Sequence, residues 1–397
     1  MTDQLDWIPL GTRFTESDMV HFHGQGETDF ADVLADVDLI VTGPHATAAF
    51  PAELRPFVDT SLTRRLQYDF SDFSTHPVAI RWAQLDLHTL YIHDPHPRAV
   101  RDANRPRPAD LVASIREAFE RLAAEPGGRP SLAGVDATRP VTFGYLPVLR
   151  RPETEAEWTE LGNVLAATCA QGIDEYEHVR DAVIERVIEA KVQRLAHLDP
   201  ARLTLRQRNI ATSLNVLSIH DTMNHTARPD GAVCLERPPA DRLPAVVSLS
   251  NRGDAEGDAR VLEAGGLRAD IDVPSMEPRL LRTIGDAYRQ AFGAHEPDDV
   301  AFNRPYLGGH ETQLAGPRLR ALQPRTLVRT DDSPARCLQL GAWQNEFLRE
   351  FLLGPEATAH LMEPGGDWPD VPEPRVQWLA ERLTAAHDLV RDHARMQ

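Results

Sequence analysis

Short apolar runs punctuated by proline and glycine recur along the chain, and most are too short to be helices. Asp38-Leu39-Ile40-Val41-Thr42, ended by Gly43-Pro44, predicts a buried strand running into a loop. Further strands are predicted over 87–92, 141–146, 214–219, 245–249 and 300–302. Between them the apolar residues take helical spacing, which predicts helices over about 108–124, 154–197, 276–293, 342–353 and 374–395. In the last of these Val376, Leu379, Leu383, Ala386 and Val390 form one stripe. Strands alternating with helices predict an α/β fold, with helices flanking a central mixed sheet and residues 1–397 forming one domain. The stretch 150–210 differs from its surroundings. It is highly charged, almost free of Gly and Pro, and opens on the capping-box pattern Thr154-Glu155-Ala156-Glu157. It reads as a helical insertion, a hairpin or small subdomain standing off the sheet.

Charge narrows the choice of partners. Forty-two basic against 60 acidic residues give a formal net charge of −18 over 397 residues. Such a surface repels phosphate backbones, and no local basic patch offsets it, so nucleic acid is not an expected partner. No apolar run approaches the ~20 residues that cross a bilayer, so no membrane contact is expected. The opening residues lack the basic and apolar blocks of a signal peptide. The three cysteines, Cys169, Cys234 and Cys337, are too few and too scattered for a disulfide scaffold. A cytoplasmic protein acting on a small molecule is the expectation, and a homo-oligomer is compatible with it.

In an α/β sheet ligands gather at the carboxyl ends of strands. His45 follows the strand 38–42 on a Gly-Pro turn, and His220 closes the run Leu217-Ser218-Ile219. Either alone is as readily a loop histidine bonded to backbone. Two of them make a metal pair more plausible, because neutral imidazole is a common zinc ligand and catalytic zinc takes three protein ligands plus water. A third ligand is available from Asp72 or Asp69, each of which would serve equally as a helix N-cap. His21 and His23 share a strand face but have no third ligand in view. Two arginine-bearing stretches, 98–106 and 250–254, follow apolar runs and suit a carboxylate in bidentate geometry, or a structural salt bridge instead. Asn303 to Glu311 adds a Gly-Gly turn followed by His310 and Glu311. No Gly-rich phosphate loop, nucleophile elbow or His-Glu-x-x-His helix is present.

In this order the pieces resemble the N-formylglutamate amidohydrolase family, metal-dependent deformylases with a fold similar to that of zinc carboxypeptidases and aspartoacylases. Pro44-His45 matches the family's Pro-His turn, and Asp72 its aspartate ahead of the first long helix. Arg98, Asp102, Asn104, Arg105 and Pro106 reproduce its Arg-x-x-x-Asp-x-Asn-Arg-Pro signature. Asn303, Pro305, Gly308 and Gly309 match an Asn-x-Pro-x-x-Gly-Gly element, and the resemblance runs from about 38 to 354. It implies a hydrolase-like α/β fold and a Zn2+ or other divalent ion on His45, Asp72 and His220. It further implies removal of an N-formyl or other small N-acyl group. Arg98, Asn104 and Arg105, with Arg252 or Arg304, would grip a carboxylate. Ser218 stands where the family has Asp, and Gly341, in Gln339-Leu340-Gly341, is set against its Gln-x-Glu. The proton-transfer role is therefore expected of Glu311, with Asp221 behind it. The alternatives are a hydrolase of a different amide and a non-catalytic carboxylate-binding protein.

Overall fold

The computed structural model describes residues 5–199, 202–264, 267–322, 328–330 and 333–393. Its centre is a sheet of seven strands: β1 (Val20–His21), β2 (Leu39–Gly43), β3 (Thr89–His93), β4 (Ser213–Thr222), β5 (Val247–Ser250), β6 (Val300–Phe302) and β7 (Gln339–Leu348). They lie in the order β6-β5-β7-β4-β2-β3-β1. Strands β7, β4, β2 and β3 run parallel to one another. Strand β5 meets β7 antiparallel and carries β6 parallel beside it, while β1 closes the other edge antiparallel to β3. The sheet is mixed, and helices flank it. These are α1 (Thr75–Leu85), α2 (Leu111–Ala124), α3 (Glu155–Gln171), α4 (Ile173–His197), α5 (Leu205–Thr212), α6 (Pro278–Phe292), α7 (His310–Leu322) and α8 (Glu373–Asp392). Strands covered on both faces read as continuous apolar runs, which is why β2 and β3 are buried at every residue.

Two expected elements are different in kind. The segment 342–353 is not one helix: it is the end of β7 followed by the short helix Arg349–Leu353. Trp343 and Phe347 are 1% exposed on one face of β7, while Gln344 and Glu346 are buried on the other. The period of two was hidden because both faces are covered. The run 141–146 is a turn, closed by Thr142 N–H donating to Leu146 O (2.8 Å) and Tyr145 N–H to Thr142 O (3.0 Å). Its apolar residues serve a loop that reaches the site.

The charged stretch 154–197 folds as two helices, α3 and α4, divided at Gly172. Its apolar face does not stand off the sheet. Tyr176, Val179, Val183 and Val187 are buried in the same core as the strands, and of its charged residues only Arg180 and Lys191 are buried with them. Among the described residues no helix is long and apolar enough to cross a membrane.

Candidate metal centre

The carboxyl ends of β2, β3, β4 and β7 point the same way, and the loops that leave them converge. His45 lies two residues beyond β2, and Asp102 and Asn104 lie in the loop after β3. Asp72 comes from the turn before α1, tied to the first loop by its N–H donating to His45 O (2.9 Å). Strand pairing then sets a grid. Thr42 is opposite Ser218, Ser218 opposite Gln344, and His220 opposite Glu346. Side chains two apart share a face, so Ser218, His220, Gln344 and Glu346 all look to the same side.

His45, Asp72 and His220 are 3, 5 and 2% exposed, and their ligand atoms all lie within 4.8 Å of one another. Asp72 Oδ2 is 3.0 Å from His45 Nδ1 and 2.8 Å from His220 Nδ1. His45 Nε2 donates to Asp102 Oδ1 (2.6 Å), and His220 Nε2 is 2.9 Å from Ser218 Oγ. With both outer nitrogens engaged, the two Nδ1 atoms and the carboxylate close on one point. Such a set of acceptors needs a cation or a shared proton between them, so the residues fit a metal ion. The proton version is visible in the electrostatics. Burial and Arg98 push the His45 imidazole down, but Asp102 and Asp72 outweigh them and leave it raised. Burial would push the Asp72 carboxyl up, yet Arg98, His45 and His220 hold it well below the usual carboxylate range. A buried His-Asp-His group of this kind can hold a metal ion.

The group opens on a cavity of about 420 Å³, within the range of small-molecule sites. Arg98, Asn104, Arg105 and Arg252 line it, joined by Arg237, Phe143, Tyr306, Gln344 and Glu346. Arg98 is already engaged, donating from Nη2 to Asp72 Oδ1 (2.9 Å) and contacting His45 Nδ1. Its guanidinium lies 5.0 Å from the Phe143 ring. Arg105 is paired with Asp136 at 2.9 Å. Among the described residues Arg237 has no carboxylate partner. The Gly-Gly turn has a geometric reason: a Cβ on Gly309 would fall 2.2 Å from the Asn104 amide. Its N–H donates to Gln344 Oε1 (2.8 Å).

Several expected roles need correction. Arg304 does not reach the cavity. It pairs with Asp298 at the surface, its side chain 55% exposed, and Pro305 and Tyr306 line the wall in its stead. Asp221 is one residue from His220 and therefore on the opposite face of β4, where it is bound by Arg349. Arg349 also donates to Ser71 O (2.5 Å) and Asp69 O (3.3 Å), so the pair holds the turn that presents Asp72. Asp69 itself faces Arg349 at 3.5 Å, away from the histidines. Glu311 lies behind the His45-Asp72-His220 group, held by Thr42, Tyr176, Arg180 and Ser218, and does not line the cavity. A general acid must come within hydrogen-bond reach of its substrate, and neither carboxylate does. His21 stacks on Tyr91 and His93, and His23 donates to Gln84 O (2.6 Å), so they chelate nothing together.

A Gln-x-Glu triplet stands five residues beyond Gln339-Leu340-Gly341, at Gln344-Asn345-Glu346. Gly341 pairs with Asn215, at the far end of β7 from His220. Glu346 accepts from Thr222 Oγ1 (2.7 Å) and Gln344 Nε2 (2.9 Å), both neutral. Burial pushes its carboxyl up, and Asp72 adds to this while His220 opposes it. The signal for Glu346 is the period of two along β7, which burial on both faces hides in the sequence. Comparison of the chain with protein-family models, with curated proteins and with solved structures found no match.

Proposed function

We propose that the protein is a metal-dependent amidohydrolase that removes an N-formyl or other small N-acyl group from an amino-acid-like substrate carrying a carboxylate. The observation that supports this most is the buried His45-Asp72-His220 group opening on an arginine-lined cavity with Glu346 in its wall. The resemblance to the N-formylglutamate amidohydrolase family points the same way, and the mixed sheet suits a hydrolase-like fold. Zn2+ is the favoured ion for two imidazoles and one carboxylate with a position left for water. Bound there, a divalent ion lowers the pKa of a water and polarises an amide carbonyl.

The chain's own residues do the rest. Asp102 orients His45 through Nε2, and Arg98 steadies Asp72 through Oδ1. Glu346, with its raised pKa and neutral donors, takes the proton of the attacking water and returns it to the leaving amine. Arg237 and Arg252, with Asn104 and Arg105 beside them, hold the substrate carboxylate and so place the scissile amide.

The test has two arms. Metal analysis of the purified protein should give about one zinc per chain, and His220→Ala should lose it. A panel of N-formyl and N-acetyl amino acids, scored for released amine, should show turnover with acidic or neutral side chains. Equal and negligible metal in both proteins would sink the metal assignment.

A further inference from the structure

Glu311 is the most heavily hydrogen-bonded carboxylate near the site, yet the reaction as described does not use it. Its Oε1 accepts from Tyr176 OH (2.6 Å) and Arg180 Nη1 (2.8 Å). Its Oε2 accepts from Thr42 Oγ1 (2.7 Å) and Ser218 Oγ (2.9 Å). With four donors on two oxygens the carboxylate is ionised, and since it can only accept, each hydroxyl that bonds it does so through its proton. The charged oxygen is the stronger acceptor for Thr42, whose alternative, Leu217 O, lies at 3.4 Å, and for Ser218. Ser218 therefore has only lone pairs left for its other neighbour, His220 Nε2 at 2.9 Å. The consequence is directional. An acceptor at that position favours an imidazole proton on Nε2, the tautomer whose Nδ1 lone pair a metal between Asp72 and His45 would take. With no metal there, Asp72 Oδ2, 2.8 Å away, draws a proton to Nδ1 instead.

A competitor shows why this is needed. Asn104 Oδ1 accepts the Glu311 N–H (3.0 Å), which fixes the amide so that its Nδ2 faces His220 Nε2 at 3.3 Å. That donor favours the opposite tautomer, with the proton on Nδ1 in the place a metal would take. We propose that Glu311 is a positioning residue, acting through Ser218 to fix the His220 proton on Nε2 and so present Nδ1 to the metal. The use of that freed Nδ1 rests on the metal-hydrolase reading above. The chain has Ser218 where the resembled family has a carboxylate, and here the carboxylate comes from the first turn of α7 instead. The inference also gives α4 a purpose. Its Tyr176 and Arg180 hold Glu311 charged and in place, so the helix buttresses the centre from behind.

The test uses full-length protein labelled with 15N at histidine. In zinc-loaded wild type the His220 Nε2 resonance should be that of a protonated nitrogen, coupled to a proton slow to exchange. In zinc-loaded Ser218→Ala only the Asn104 donor is left at that position, so the Nε2 proton loses its acceptor and should exchange about tenfold faster or more. His45 Nε2, held by Asp102, should not change and serves as the internal control. Zinc affinity of Ser218→Ala should fall about 10- to 100-fold, the usual cost of losing such a partner. Glu311→Gln should move both readouts the same way, since a glutamine can donate to Ser218 and reverse the chain. Ser218→Asp combined with Glu311→Gln supplies a carboxylate directly and should restore the slow exchange of the Nε2 proton. If that proton exchanges as slowly in both Ser218→Ala and Glu311→Gln as in wild type while zinc is bound, the proposal is overturned. A wild type that binds no zinc would overturn the metal reading, and the proposal with it.

Discussion

Glu346 and Glu311 flank the same histidine, and the protein treats them in opposite ways. Glu346 faces the cavity and is met by one hydroxyl and one amide, with no cation among its hydrogen-bond partners. Glu311 faces inward and is met by a guanidinium and three hydroxyls. Both are buried. Burial lifts Glu346 above the ordinary glutamate value, whereas Arg180 with the Tyr176 and Thr42 hydroxyls outweighs burial at Glu311 and holds it below. One carboxylate is prepared to gain and lose a proton, and the other is locked as an anion. Under the proposed function, the contrast separates a group that would handle the substrate from one that arranges its neighbours.

The largest expected effect breaks the comparison on the side of chemistry. Glu346→Gln should lower kcat by about 10²- to 10⁴-fold, the usual worth of a positioned acid–base group. Zinc content should be unchanged, since Glu346 is not one of the three converging residues. Loss of metal together with activity would make Glu346 a ligand and not a proton carrier.

How much of this could be read from the sequence follows the same line. His45, Asp72 and His220 were legible because each sits at a strand end or turn, where a polar residue has little to pack against. The arginine-rich loop after β3 was legible for the same reason. Glu346 was not, because a strand buried on both faces shows no alternation, and 342–353 passes for a helix. With a helix assumed from 342 on, the Gln-x-Glu pattern falls on Gly341 and the acid–base role on Glu311 and Asp221. Asp221 fails for a reason visible only once the strand is known, namely that neighbours on a strand point opposite ways. The four partners of Glu311 come from β2, α4 and β4, and no local pattern announces such a meeting.

Stability should separate the two carboxylates by sign. Among the described residues, Glu311→Gln leaves Arg180 with only Asp181, 38% exposed, as its ion-pair partner. It should cost about 3 kcal/mol in urea unfolding of the metal-free protein, the low end for breaking a buried pair. Glu346→Gln removes a charge that burial disfavours and should gain about 0.5–1 kcal/mol at neutral pH. The pH dependence follows from the directions. A depressed carboxyl such as Glu311 adds stability above its unfolded value, about 4.3, and that stability is lost as pH falls through the folded value. A raised carboxyl such as Glu346 adds no cost below the unfolded value and its full cost above the folded one. The gain from Glu346→Gln should therefore vanish near pH 4. A loss of stability in Glu346→Gln at neutral pH would mean that its charge is as well satisfied as that of Glu311.

Tyr176→Phe is the gentlest probe and sharpens the comparison most. It deletes one donor to Glu311 Oε1 (2.6 Å) while Arg180 stays on the same oxygen. A hydrogen bond to a buried charge is worth about 1.5 kcal/mol or a little more, so unfolding should shift by that amount. The ring stays buried in the core, and no cavity opens. Zinc affinity should hardly change, because Ser218 is bound by the other oxygen, Oε2, and its proton remains committed there. Paired urea unfolding and zinc titration of this variant check both halves. A stability loss with intact metal binding would show that the anchoring of Glu311 and its hold on His220 run through separate oxygens. A parallel fall in zinc affinity would join them into one network.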